Sequence, residues 1–273
     1  MPQWAEGIYY EHILLTKCDC IDAPALSPSA KELVEPFAGG ASVALAALFE
    51  GRVERITLVE LDPDVAAVWH TLLGQDARWL CDRIAGLSVS SSSVRAVLTS
   101  PAIKTRDRAF RTIVRNRVQR GGILSDTAGL MRMGENGRGL GSRWYPETLA
   151  RRIMDINDRR HSIAFFQGDG ILALRSVGRR SGLAVFIDPP YVTAGKRLYA
   201  YSEVDHSALF RAARNLKSPF LMSYDDVGEI NRLAAESNLV VAPVAMRSAH
   251  HAEKSELLIS RYLGWIPRER NAT

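Results

Sequence analysis

Apolar residues along the chain fall into short continuous runs, separated by stretches with helical spacing. Seven runs rich in β-branched and aromatic residues predict strands over 32–37, 56–61, 163–167, 183–187, 219–224, 239–246 and 256–262. Apolar positions recurring every three to four residues predict helices over 42–50, 63–73, 206–216 and 227–237, with a shorter one over 171–177. Strands alternating with helices predict an α/β fold whose parallel sheet is covered on both faces. The connection 247–255 is too short for a crossover helix, so the last two strands are expected to pair antiparallel.

The alternation breaks over 76–149. The serine-rich stretch 88–93 reads as a linker or exposed loop. Beyond it, Phe110, Ile113, Val114, Arg117 and Val118 stand at helical spacing. The stretch 134–142 carries four glycines and reads as a mobile loop, and 147–160 as a helix leading back to the core. Segment 76–149 is therefore expected to be a subdomain inserted into a sheet domain made of 1–75 and 150–273. There is no internal repeat.

Composition narrows the class. With 47% hydrophobic and 24% charged residues over 273 positions, the chain matches globular proteins and excludes disordered, collagenous and coiled-coil readings. The longest apolar run, Leu239 to Met246, is far shorter than the roughly 20 residues that span a bilayer, so no membrane association is expected. The opening Met1–Glu6 lacks a basic segment followed by an apolar one, and Cys18, Cys20 and Cys81 are too few for a disulfide framework. Both observations predict a reducing, cytoplasmic setting. The net charge of +5 is concentrated: residues 104–120 hold seven basic residues against Asp107 alone. A helix of that charge is expected to meet an anionic partner such as nucleic acid, although a solvated basic face would look the same.

Two motifs carry chemistry. Glu35-Pro36-Phe37-Ala38-Gly39-Gly40-Ala41-Ser42 reads as a strand, a glycine turn and a helix start, with Ser42 as the expected N-cap. About twenty residues on, the second strand ends at Glu60-Leu61-Asp62, where an acid can accept hydrogen bonds from ribose hydroxyls. A dinucleotide or S-adenosylmethionine (SAM) suits this pair, and the missing G-x-G-x-x-G weighs against NAD. A plain strand–helix turn would give the same loop. The second motif is sharper. A buried strand runs directly into Asp188-Pro189-Pro190-Tyr191, where open α/β sheets bind ligands. The prolines donate no N–H, Asp188 adds a second acceptor, and Tyr191 offers a flat face. Two acceptors beside an aromatic suit an exocyclic amine on a heterocyclic base.

With both motifs in this order around a basic insertion, the chain resembles the Dam-like family of SAM-dependent DNA adenine-N6 methyltransferases. The resemblance covers most of the chain. It implies a Rossmann-like methyltransferase sheet of about seven strands, the last antiparallel, with an inserted, mostly helical target-recognition subdomain over 76–149. It places Glu35, Pro36, Phe37, Ala38, Gly39, Gly40, Ser42, Glu60, Leu61, Asp169 and Asp188 at the cofactor, with Glu60 on the ribose and Asp169, in Phe166-Gln167-Gly168-Asp169, on the adenine. Phe220-Leu221-Met222-Ser223-Tyr224-Asp225-Asp226 and Lys254–Ser260 are similar to later core segments of the family. One departure stands out: the family's N-terminal Gly-Gly-Lys segment has at most an echo in Trp4–Tyr10.

The implied chemistry is direct methyl transfer to a flipped-out adenine, with Asp188, Pro189, Pro190 and Tyr191 as the catalytic set. Arg108, Arg111, Arg115, Asn116, Arg117, Arg120 and Arg143 are the candidates for DNA contacts, alongside Arg106. No metal is expected, and Cys18-Asp19-Cys20 lacks a second pair at zinc spacing. His250-His251 reads as a surface or DNA-backbone contact. Double-stranded DNA is the expected partner, a monomer is favoured, and the resemblance leaves room for a restriction endonuclease in the same system. The same chemistry on DNA cytosine-N4, RNA adenine or protein glutamine, and a catalytically silent SAM- or DNA-binding protein, stay open as alternatives.

Overall fold

The computed structural model describes residues 30–120, 139–192, 203–247 and 253–264, with 124, 129–131, 134 and 137 between them. Seven strands form one mixed sheet: β1 (Glu32–Glu35), β2 (Arg55–Glu60), β3 (Ile163–Gln167), β4 (Leu183–Ile187), β5 (Phe220–Asp225), β6 (Val240–Arg247) and β7 (Glu253–Ser260). Their order is β3-β2-β1-β4-β5-β7-β6. β1 runs parallel to β2 and β4, and β4 parallel to β5. β7 inserts between β5 and β6, antiparallel to both. The fold is thus the expected Rossmann-like α/β sheet with its last strand reversed.

The helices among the described residues are α1 (Ser42–Phe49), α2 (Pro63–Leu73), α3 (Ala77–Ala85), α4 (Ser91–Thr99), α5 (Thr105–Val118), α6 (Pro146–Asp158), α7 (Gly170–Val177), α8 (His206–Arg214) and α9 (Gly228–Glu236). Two compact units emerge, one of 1–59, 168–193 and 204–273, the other of 60–167 and 194–203. The core of the first packs Val34, Val185, Ile187, Met222, Tyr224 and Ile259 of the sheet against Leu209, Phe210 and Ile230 of the helices. The second buries Leu80, Ile84, Phe110, Val114 and Ile153. In it α5 lies along α2, and α6 along α3.

Local chemistry sets the boundaries. β1 stops at Glu35, two residues short of the expected Phe37, because Pro36 has no N–H for a ladder. Ser42 is not the N-cap. That position is Ala41, in a left-handed conformation (φ 49°) and with no side chain to offer. Glu35 substitutes for the cap: its buried carboxylate accepts from the Ala44 N–H at 3.1 Å. The serine stretch is not a linker throughout either. Ser90 and Ser93 form a reciprocal capping box, and α4 begins at Ser91. Elsewhere acids open the helices, Asp62 to the Asp64 N–H (2.7 Å), Asp169 to Leu172 (2.8 Å) and Asp205 to Ala208 (2.8 Å).

Gly170, the first residue of α7, sits against the turn that follows β1. A Cβ there would lie 2.3 Å from the Pro36 carbonyl oxygen and 2.8 Å from the Phe37 ring, whereas one at Gly168 would meet nothing within 4 Å. Gly170→Ala is expected to cost about 1–3 kcal/mol in urea unfolding, as overpacked sites do. Gly168→Ala should stay within roughly 0.5 kcal/mol of the wild type. Equal midpoints for the two variants would show that the turn yields.

Candidate active site

β4 is buried along its whole length and delivers Asp188 at its C-terminal end. Ile187 pairs with Met222 in the parallel register, so the next step sets Asp188 beside Ser223 of β5. The Ser223 hydroxyl, wholly buried, donates to Asp188 Oδ1 at 2.5 Å. Pro189 is buried and Pro190 half-buried. The half-buried Tyr191 ring stacks on Tyr224, with centroids 6.3 Å apart and planes 29° apart. Its hydroxyl is in hydrogen-bond contact with Ser223 and with Glu256 of β7. Burial above all, then the charges of Asp188 and Glu256, pushes this phenol well above its ordinary value, so it is a neutral hydrogen-bonding group.

Behind it, Tyr224 is fully buried, and its hydroxyl meets His206 Nδ1 at 3.0 Å. Burial likewise raises the Tyr224 phenol far above its usual range. His206 lies edge-on to the Tyr224 ring at 5.6 Å. Burial lowers its pKa from the ordinary 6.5, against the pull of Glu229, Asp225 and Asp205.

The glycine turn leaves β1 beside β2, with the Ala38 N–H donating to the Val59 carbonyl at 2.9 Å. Gly39 takes a positive φ of 48°, and neither Gly39 nor Gly40 has an atom within 4 Å of where a Cβ would stand. Phe37 is half-buried and packs on the core; Ala38 is buried; Ser42 is half-buried in the first turn of α1. At the end of β2, Glu60 Oε1 accepts from the Asp62 N–H at 2.8 Å, and Leu61 is exposed. Asp62 is raised from its ordinary value, chiefly by burial. Glu35, Glu60 and Asp169 therefore each give one oxygen to a backbone N–H, which fixes their orientation.

The basic helix α5 belongs to the second unit, and its arginines have acidic company. Arg108, Arg111 and Arg115 converge on the Asp64 carboxylate at 3.3, 3.8 and 3.4 Å. Arg106 pairs with Asp76 at 3.0 Å and lies over the Trp79 ring. Arg143 donates to the backbone carbonyls of Asn116 (3.0 Å) and Gln119, tying the stretch before α6 to the end of α5. Arg117 is half-buried, and Arg120 is exposed. Three guanidiniums on one carboxylate leave a local surplus of positive charge. Part-exposed pairs of this kind contribute only about 0–1 kcal/mol each.

Trp4–Tyr10 with Tyr9 and Tyr10, Lys17, Cys18, Cys20 and His250-His251 lie outside the described residues. Cys81 is buried, and burial raises its thiol. Among the described residues no group of three or more His, Cys, Asp or Glu could hold a metal, and no helix is long and apolar enough to cross a membrane. Sequence reasoning assigned no role to Ser223, Tyr224, His206, Glu256 or Asp64. The one visible signal was a serine inside the otherwise apolar strand Phe220–Tyr224.

No protein-family model and no curated protein matches the chain. Solved structures resemble it at low identity. The B. subtilis tRNA methyltransferase TrmK is 10% identical with a TM-score of 0.41, over 90% of this chain and 64% of that one. A putative RNA methyltransferase of Pyrococcus horikoshii, PH1948, is 10% identical with a TM-score of 0.43, over 96% and 88%. The Streptomyces viridochromogenes rRNA methyltransferase aviRa is 15% identical with a TM-score of 0.38, over 89% and 83%. At these values the likeness assigns neither activity nor substrate.

The depressed pKa of His206 predicts a fold that loses stability in acid. The unfolded chain takes up a proton near pH 6.5 while the folded one resists, so stability falls as pH drops from 6.5 toward the folded value. Urea midpoints at pH 7.5 and 5 are expected to differ less in His206→Gln than in the wild type. An unchanged pH dependence would remove His206 from the acid response.

Proposed function

We propose that the chain is a SAM-dependent methyltransferase acting on the N6 amine of adenine in double-stranded DNA. One observation carries this reading: an acid held at the end of a buried parallel strand, two donor-less prolines behind it, and an aromatic ring braced from below. Asp188 and the Pro189 carbonyl would accept the two hydrogens of an exocyclic amine, drawing the nitrogen lone pair out of ring conjugation. Tyr191 would stack on the flipped base, offsetting part of the few kcal/mol that unstacking costs. No cysteine stands in the motif, so attack by an enzyme thiol has no counterpart here.

The residues present fit the cofactor. Gly39 and Gly40 leave open space where any other residue would put a side chain. Glu60 is oriented for a ribose diol by the Asp62 N–H, and Leu61 and Phe37 offer apolar surface. When bound, SAM supplies an electrophilic methyl on a sulfonium sulfur. The chain's own residues orient the amine, exclude water and hold its protons. The surplus charge around Asp64, with Arg117 and Arg120, supports a phosphate-binding role for the second unit. The reading includes a cytoplasmic monomer.

Labelled methyl transfer to mixed-sequence duplex DNA, followed by nucleoside mass spectrometry, tests the reading. N6-methyladenine is expected from the wild type, with a loss of about a hundred- to a thousandfold in Asp188→Ala, as for removal of a main transition-state contact. N4-methylcytosine, or methylation confined to RNA or protein, would instead establish one of the alternatives.

The DNA track has its own test. Arg111→Ala and Arg115→Ala should each lower the slope of log affinity against log salt by about 0.9 for every phosphate the variant no longer neutralises. A slope equal to the wild type's would assign both arginines to Asp64 alone.

A further inference from the structure

We infer that Ser223 is a positioning residue that locks Asp188 and Tyr191, the two working arms of the strand-end motif, into one geometry, with Glu256 as the outer anchor of Tyr191. The inference rests on the proposed amine methyl transfer.

Two neighbouring groups on one loop need not share a support, but these do. Asp188 and Tyr191 are three residues apart on a segment whose prolines make no ladder bonds of their own. Ser223 stands on the adjacent strand, one step beyond the Ile187–Met222 pair, and has no exposed surface. Its hydroxyl donates to Asp188 Oδ1 at 2.5 Å and is in hydrogen-bond contact with the Tyr191 hydroxyl. Its one proton goes to Asp188, which leaves a lone pair to accept from the Tyr191 O–H. The bond to Asp188 restrains rotation of the carboxylate and hence the direction in which it can accept a substrate N–H.

The Tyr191 ring is held by Tyr224, and its single hydroxyl proton is shared between the Ser223 oxygen and the Glu256 carboxylate. Glu256 comes from β7, paired opposite Asp225 of β5. Tyr224 is secured in turn by His206. The stacking face and the accepting carboxylate thus share one hydroxyl, and a base clamped by the ring is registered to the carboxylate that receives its amine. Displacement of about 1 Å at such a constellation costs on the order of a hundredfold in rate.

The test compares wild type, Ser223→Ala, Ser223→Thr and Glu256→Gln as full chains. It measures single-turnover methyl transfer to duplex DNA, SAM affinity, thermal midpoint and crystal structures without cofactor. Ser223→Ala should slow transfer by about ten- to a hundredfold. SAM affinity and the concentration of DNA giving half-maximal rate should stay within roughly threefold, because Ser223 has no exposed surface to offer either ligand. Ser223→Thr, which keeps the hydroxyl, should recover most of the rate. Glu256→Gln, on a part-exposed residue that leaves the core intact, should slow transfer by about threefold to tenfold. In the Ser223→Ala crystal Asp188 and Tyr191 should each leave their wild-type rotamer or occupy two. Wild-type rates in Ser223→Ala, or unmoved Asp188 and Tyr191 in its crystal, would overturn the inference. If the wild type methylates no DNA, the substrate reading falls and the two rotamers alone decide the positioning role.

Discussion

Parallel pairing of β4 with β5 is the constraint on which the rest of the site depends. It aligns two residues that are 35 positions apart, so that Asp188 leaves one strand where Ser223 still lies in the other. A one-residue slip would turn Ser223 to the opposite face of the sheet and leave a buried hydroxyl and a carboxylate unmatched. The apolar run Leu183–Ile187 and the core that grips it fix that register. Packing and polar satisfaction select the same alignment, as expected of a sequence with one native state.

Below that edge the first unit is built as a relay of supports. Asp188 rests on Ser223, Tyr191 on Tyr224 and Glu256, and Tyr224 on His206. The phenols stay protonated because they are buried, which keeps them useful as hydrogen-bonding groups. The glycine turn shows the same economy, since Glu35 both ends β1 and caps α1. In the second unit the arginines of α5 neutralise part of their own repulsion on Asp64 and Asp76. That lets a basic helix pack instead of standing away in solvent.

Much of the sheet was legible in the sequence. β3, β4 and α2 have the bounds their apolar runs predict, because Pro, Gly and Asp punctuate β4 and α2 on both sides and β3 at its C-terminal end. The strand-end motif was legible as well, since four specified residues follow a run that can only be buried. The supports were not. Ser42 looked like the cap because capping rules are local, whereas Glu35 reaches Ala44 from nine residues away through the turn. The serine stretch looked like a linker because Ser is depleted within helices, yet the same chemistry makes it a helix start. Asp64 meets arginines 44 to 51 positions along the chain, and Glu256 meets Tyr191 across 65. Composition and periodicity carry no record of such pairings.

The placement of β7 has a consequence for how the site comes into being. Because β7 lies between β5 and β6, β5 keeps an open edge until β7 has been synthesised and threaded into place. Glu256 arrives with that strand. The motif's own loop, its ring stack and Ser223 can assemble early, from contacts nearer in sequence. The outer anchor of Tyr191 cannot, because it waits for a long-range closure that is among the slowest steps a chain of this topology must take. A chain still lacking β7 would then carry β1 to β5 with an unfinished strand end, so folding itself delays completion of the site.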